Sequence, residues 1–416
     1  MPPIKRRPRG EGGLRRRADG YWVATIELGV DPLTGRRGRR SIVHRRQEDV
    51  LREKRALERQ RDDYGTVPAA GITVGMWLDM WVEDVAQLKP NTRRSYRSTI
   101  RTYIAPTIGH VPLAKLTPDH VRRMTGAAAE RGLSPSTVHR AYAVLSSALT
   151  SAVEDGKLAS SPTRRMRAPR VPEDDTLVLS VEQSKGFMQH VWHDPLGMRW
   201  ALALLTGMRQ GEILGLEWSR VSAQRIDLSW QLQRLGFRHG CGGTCHVRRP
   251  GSCPQRELDV RPDDEYQQVL GGLCLIRPKS AAGRRIIPAI PAIAGILAEQ
   301  RRRQQAAGIA SRFVFTRPDG SPIDPSLDSA AWHAALGSAR LPQTKLHAAR
   351  HTAATLLLEA GVDGKVVQQI VGHSTVAMSR RYQHVSTALA GDALGAVAEL
   401  IGLGAIQAPA TPAAIE

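Results

Sequence analysis

A chain of 416 residues with formal net charge +20 has room for two or three domains and is too basic for an ordinary metabolic enzyme, so a polyanionic partner is expected. No run approaches the roughly 18 consecutive apolar residues of a membrane span, and the Arg-rich start lacks the apolar core of a signal peptide. These features predict a cytoplasmic protein with no membrane partner.

The first 40 residues hold eleven Arg or Lys against four Asp or Glu. Within residues 12–66 a β-prone run from Tyr21 to Leu28 and a second from Arg39 to Val43 flank D-P-L-T-G-R-R-G, a turn signal. A helix is expected from about Gln47 to Arg61. Arg36, Arg37, Arg39 and Arg40 lie at or beside the turn and are candidate phosphate contacts.

A Pro/Gly/Ala linker spans Gly65 to Gly71, and residues 72–156 then read as four or five helices. Thr73 can cap the first, whose Val74, Trp77, Leu78, Trp81 and Val85 recur at helical spacing. The next, from Asn91 or Thr92, sets an apolar face of Tyr96, Ile100, Tyr103 and Ile104 beside a basic face of Arg93, Arg94, Arg97 and Arg101. That basic face is a second candidate DNA contact. Thr117-Pro118 and Ser134-Pro135 each announce a helix by an N-cap followed by Pro.

Residues 157–178 form a basic linker, and Ser180 with Gln183 is a capping box that opens a third domain, 179–402, of mixed helix and short antiparallel sheet. The Ala/Pro-rich tail, 405–416, is expected to be disordered. Leu273 to Arg277 and Arg284 to Ile290 read as strands joined by S-A-A-G, a hairpin that would carry Lys279.

Within this domain, residues 233–270 form a Gly-rich insertion holding Cys241, Cys245 and Cys253. All four cysteines fall within 34 residues, which suits a local metal site better than a disulfide framework. Three thiolates can hold a tetrahedral structural Zn²⁺, with His239, His246 or Cys274 as the fourth ligand. The alternative is an unliganded loop with free thiols.

Six residues make a chemical set: Arg209 in T-G-M-R-Q-G-E, Lys279 in R-P-K-S, His347 and Arg350 in H-A-A-R-H, His373 in V-G-H-S-T, and Tyr382 in R-R-Y-Q-H. Two guanidinium forks can clamp a phosphodiester, a lysine and histidines can move protons, and a tyrosine can attack phosphorus. Arg350, three residues beyond His347, shares a helical face with it. Glu212, three beyond Arg209, is read as orienting that arginine or the local fold rather than touching DNA. His351 and His384 are read as packing or surface residues, and Arg277, Arg284 and Arg285 as rivals to Lys279 for its position. A tyrosine attack on phosphorus conserves the bond energy, so rejoining is expected to need no ATP, which agrees with the lack of a G-x-x-x-x-G-K-[ST] loop in the sequence.

In order and context these motifs resemble the tyrosine recombinase (phage integrase) family, from about residue 70 to 400, although H-A-A-R-H and V-G-H replace the commoner H-D-L-R-H and L-G-H. The resemblance implies a multidomain, mainly α fold with small β-sheets: an N-terminal β-sheet arm-binding module, a helical core-binding (SAM-like) domain and a mixed α+β catalytic domain. It implies a site-specific recombinase working through a covalent 3′-phosphotyrosine, with Tyr382 as nucleophile, His347 assisting it, Lys279 protonating the leaving 5′ oxygen and His373 donating to the phosphate. It further implies no catalytic cofactor, and partners comprising double-stranded DNA at core and arm sites, a homotetramer on DNA, an excision factor and a host DNA-bending protein. An Xer-like resolvase, a type IB topoisomerase and a catalytically inert DNA-binding accessory factor are the alternatives.

Overall fold

The structure is a computed structural model that describes residues 14–30, 37–64, 72–85, 87–172, 177–278, 285–372 and 387–403. Lys279, His373, Tyr382, His384, Arg36 and the tail 405–416 lie outside the described residues. The chain divides into two units, Met1–Glu173 and Asp174–Glu416.

In the first unit, β1 (Arg15–Arg16), β2 (Trp22–Val30) and β3 (Arg37–His44) form an antiparallel sheet in that order. Strand alternation sends Ala24, Ile26 and Ile42 to one face, where they meet Val50 and Leu57 of α1 (Gln47–Tyr64). Arg40 and His44 share that face and reach Glu53 of the helix at 3.0 and 2.6 Å. Arg40 is thereby tied to the fold, whereas Arg39 is exposed on the opposite face and pairs with Glu27 at 3.0 Å.

A second core belongs to the helices. Thr73 caps α2 (Val74–Met80), accepting from the Met76 N–H at 3.3 Å, and the helix continues as a π turn, Trp81–Val85. Trp77 is fully buried and donates its indole N–H to the Ala148 carbonyl at 2.8 Å; Trp81 stacks on Tyr96. α3 (Pro90–Thr99) begins earlier than expected because Pro90 occupies its first position, where a missing N–H costs nothing. It runs into a π turn, Ile100–Ile104, and α4 (Ala105–Ile108), followed by α5 (Pro118–Glu130) and α6 (Pro135–Glu154), both entered through the expected caps.

The expected basic face of α3 is only half realised. Arg94 and Arg101 are exposed, but Arg93 is 2 % exposed and Arg97 is held by Glu83 of the preceding π turn. Helical spacing grouped the four residues; burial takes Arg93 out of that face, and Glu83 in α2's extension takes Arg97. The linker also departs from expectation, since Leu158 and Met166 pack on the helical core and the Tyr142 hydroxyl donates to the Thr163 and Met166 carbonyls at 3.4 Å.

In the second unit, α7 (Val181–Val191) opens on the Ser180–Gln183 capping box. Every residue of α8 (Gly197–Thr206) is buried, so this helix is the axis of the domain. Trp200 of α8 meets Phe187 and Trp332 in an aromatic cluster. After α9 (Gln210–Leu214) come β4 (Arg225–Asp227), β5 (Gln231–Arg234), β6 (Phe237–His239), β7 (Arg256–Leu258), β8 (Tyr266–Leu270), β9 (Leu273–Ile276) and β10 (Ile286–Pro288). Five further helices complete it: α10 (Pro291–Ala306), α11 (Pro325–Ser338), α12 (Ala348–Glu359), α13 (Gly364–Val371) and α14 (Thr387–Leu400).

The hairpin expected around Lys279 is not formed by the described strands. β9 is the middle strand of β5-β9-β8, with both edges occupied, while β10 pairs with β4. The two segments are strands as expected, but a central strand has no edge left to offer. The insertion is also less open than its composition suggests: β6 pairs with β7, and Leu235, Leu258 and Cys274 form a small apolar cluster with Phe237, Val260 and Ile276 packed against it.

Candidate active site and the histidine and cysteine cluster

Gly207 ends α8 in the left-handed conformation, φ 63°, and a Cβ there would press within 3.3–3.4 Å of Val371 and Ala353. This close approach brings α8, α12 and α13 together. Two residues on, Arg209 precedes α9, donating its backbone N–H and Nη1 to the Glu212 carboxylate, both at 2.8 Å. Its Nη2 donates to the Gly372 carbonyl at 2.9 Å, beside the end of α13. The reading of Glu212 as an orienting residue thus matches its contacts.

Arg350, on the first turn of α12, is 2 % exposed and donates from Nη1 to the Gly207 carbonyl at 2.7 Å. Its Nη2 is buried with no hydrogen-bond partner among the described residues. Burial, reinforced by the charges of Arg209 and Arg285 and opposed by Glu212, pushes the Arg350 pKa down to about 9. The site therefore holds positive charge at a cost that an incoming anion would offset.

His347 stands immediately before α12 with its ring edge-on to His351, centroids 5.3 Å apart. Burial, then His351, Arg350 and Arg209, lower its pKa, favouring the neutral ring at pH 7. The stability this neutral ring contributes is present above the unfolded value near 6.5 and is lost as pH falls through the lower folded value. Arg209, His347 and Arg350 line one cavity of about 370 Å³, with Gln210, Asp328 and Lys345 on its walls. A larger cavity, about 1420 Å³, lies by α10 and the Trp192–Leu196 turn, and none of the described candidates lines it.

Of the rivals to Lys279, Arg277 lies over the Trp230 ring at 4.0 Å and pairs with Glu265 at 2.8 Å, so the fold occupies it. Arg285 forks onto Glu212 and belongs to the site itself. Sequence reading missed this role. R-R-I-I-P before a strand was its only local trace, because the partner lies 73 residues away.

The insertion brings His239, Cys241, Cys245 and Cys253 together, with one ligand atom from each lying within 4.8 Å of the others. His239 Nδ1 is 3.4 Å from Cys245 Sγ and 3.9 Å from Cys241 Sγ. A tetrahedron with metal–sulfur bonds of about 2.3 Å and metal–nitrogen bonds of about 2.0–2.1 Å has edges of roughly 3.5–3.8 Å, so the donor set fits such an ion. Cys241 is held down to about 5, by the Cys245 N–H first and then the Cys245 thiol. Cys274 lies outside this group: it is buried in β9 within the apolar cluster, and burial pushes its thiol up to about 11. His246 is exposed and outside the group.

Residues 270–388 match the model of the phage integrase family, and residues 73–125 that of the phage integrase N-terminal SAM-like domain. An integrase of Saccharopolyspora erythraea is 32% identical over 420 residues, covering 93% of this chain and 96% of that protein. A XerC-like tyrosine recombinase of Caldanaerobacter subterraneus subsp. tengcongensis is 25% identical, covering 88% of this chain and 92% of that protein. In fold, the chain is similar to the Tn1549 transposon integrase in complex with transposon right-end DNA, with TM-score 0.57, 21% identity, and coverage of 79% of this chain and 98% of that one. It is also similar to a lambda integrase tetramer bound to a Holliday junction, with TM-score 0.51, 16% identity, and coverage of 91% and 98%. Among the described residues no helix is long and apolar enough to cross a membrane. The chain belongs to the phage integrase family of tyrosine recombinases, enzymes of site-specific recombination.

Proposed function

We propose that this recombinase integrates or excises a phage or mobile element by cutting and rejoining double-stranded DNA at core sites, with Arg209, Lys279, His347, Arg350, His373 and Tyr382 as its catalytic set. The observation that supports this most is the cavity shared by Arg209, His347 and Arg350, with a buried Arg350 donor left over for an anion. In the proposed step the Tyr382 phenolic oxygen bonds to phosphorus while the bond to the 5′ oxygen breaks. The phenol proton leaves with assistance from the neutral His347, and Lys279 supplies a proton to the departing oxygen. Arg209 and Arg350, with His373, hold the phosphate oxygens as charge builds on them. Water then has no part in rejoining, because the free 5′ hydroxyl attacks the phosphotyrosine and the bond energy is conserved. Four protomers acting through a Holliday junction, with an excision factor and a host bending protein, complete the reading. The test is a nicked duplex spanning the element's sequenced junction, followed by a denaturing gel for covalent adduct; an inert accessory factor would give none.

Residues 12–66 are proposed as the arm-site module, with Arg39 on the exposed sheet face. Deleting residues 1–66 is expected to leave cleavage of a short core site intact and to abolish binding to arm-type repeats. The slope of log affinity against log salt should flatten by about 0.9 for each phosphate that the module neutralises in the full chain. Unchanged binding to every site would refute the assignment.

We infer further that His239, Cys241, Cys245 and Cys253 hold a structural Zn²⁺ that crosslinks the insertion, since its small apolar cluster is a weak substitute for a core. Protein purified without added zinc is expected to contain about one zinc per chain, as a single four-ligand site requires. Cys253→Ser should raise proteolysis between Gln233 and Leu270. Zinc near zero with Cys241, Cys245 and Cys253 titratable in the folded protein would sink the idea.

A further inference from the structure

The Glu212 carboxylate is 1 % exposed and accepts four hydrogen bonds from two arginines. Two come from Arg209, and two from the fork of Arg285, Nη1 and Nη2 each at 3.0 Å. Arg285 Nε donates to the Ile370 carbonyl at 3.0 Å, in the last turn of α13, while Arg209 Nη2 takes the Gly372 carbonyl. Gly372 has φ 73°, a left-handed backbone that favours glycine, and a Cβ on it would crowd Arg285 Nη1 at 3.2 Å. The next residue in the chain is His373.

From this arrangement we propose that Arg285 is a positioning residue for phosphate activation: by neutralising Glu212 it leaves the charge of Arg209 available to the scissile phosphate, and by bonding the Ile370 carbonyl it ties the end of α13 to that carboxylate. The inference rests on the recombinase reading, and in particular on Arg209 as a phosphate ligand. Arg209, Arg285 and Arg350 carry three positive charges against the single negative charge of Glu212. With Arg285 present, one cation offsets the carboxylate and two remain. Without it, Glu212 draws its whole compensation from Arg209, and a buried carboxylate cannot go uncompensated cheaply. Burial alone would push the Glu212 carboxyl up; the Arg285 charge and fork, with the bonds from Arg209, outweigh it and hold the carboxyl below its ordinary range. Lysine cannot reproduce a fork that bonds two carboxylate oxygens and a carbonyl together.

The experiment compares wild type with Arg285→Met and Arg285→Lys in single-turnover adduct formation, at saturating protein and well below the melting temperature. Two nicked duplexes of the element's sequenced junction are used, one with the natural phosphodiester and one with an uncharged methylphosphonate at the scissile position. Tyr382→Phe is the blank. On the phosphodiester, Arg285→Met is expected to cleave about 10²-fold more slowly, the scale of a misplaced catalytic group, with Arg285→Lys intermediate. On the methylphosphonate the deficit should shrink to within about threefold of wild type, because one negative charge fewer awaits neutralisation in ground and transition state. DNA affinity should change little. An equal deficit on both substrates would mean that Arg285 acts through the fold alone, and no deficit on either would mean that it does nothing for the phosphate; both overturn the proposal. Should Arg285→Met fail to fold, Arg285→Lys carries the same comparison. If wild type itself forms no adduct on either duplex, the recombinase reading falls, and this inference with it.

Discussion

Tyr382→Phe is expected to form no covalent protein–DNA adduct while binding core-site DNA about as tightly as wild type. The substitution removes one oxygen and no charge, and affinity in a chain of net charge +20 comes mainly from its cations meeting phosphates. The phenol has an ordinary pKa of about 10 and is mostly protonated at neutral pH, so the proposed site must favour phenolate by its positive charge and accept the proton on a neighbour. In the proposed site Arg209, Arg350 and the neutral His347, which share one cavity, would meet those conditions. Denaturing gels of nicked core-site DNA, beside an affinity measurement in the same salt, read both halves. Adduct surviving in the phenylalanine variant would assign the attack to another residue.

The second large effect is expected at Arg350. Arg350→Ala should lower cleavage by about 10²–10³-fold, the loss seen when one donor to a developing oxyanion is removed. Its Nη1 bond to the Gly207 carbonyl fixes the guanidinium against the end of α8, and Nη2 is the buried donor without a partner. The positive charge is already assembled in the free enzyme, in the cavity that Arg350 shares with Arg209 and His347. Arg350→Lys should recover only part of the rate, since an ammonium cannot bond the Gly207 carbonyl and a phosphate oxygen with the geometry of a planar fork. Single-turnover rates at saturating protein separate this from a binding defect. A loss below about tenfold would make Arg350 a contributor to affinity or fold rather than to the chemical step.

Sequence alone determined much of the local structure. Thr73, Ser134-Pro135 and the Ser180–Gln183 box open helices where expected, because capping is settled between residues two or three apart. The cysteine spacing already pointed to a cluster, since Gly-rich loops of that length can bring thiols together. The order of the six candidate residues identified the family for the same reason: their immediate neighbours are part of the motif.

What sequence left open depended on partners distant in the chain. Arg93 and Arg97 look like Arg94 and Arg101 on a helical wheel, yet burial takes the first and Glu83 the second. The segments flanking Lys279 have strand-like composition, but composition does not choose an edge, and β9 is already held between β5 and β8. His246 and Cys274 stood as alternatives to His239 beside the three cysteines; pairing of β6 with β7 sets His239 opposite Arg256 and within the group of donors, while β9 keeps Cys274 in an apolar core. Arg285, one of three arginines near Lys279, takes its part in the site from Glu212 and from the end of α13. Caps and motifs are fixed by short-range geometry that the sequence displays, whereas strand partners and the sharing of a buried carboxylate are fixed by packing, which brings together residues that the sequence holds far apart.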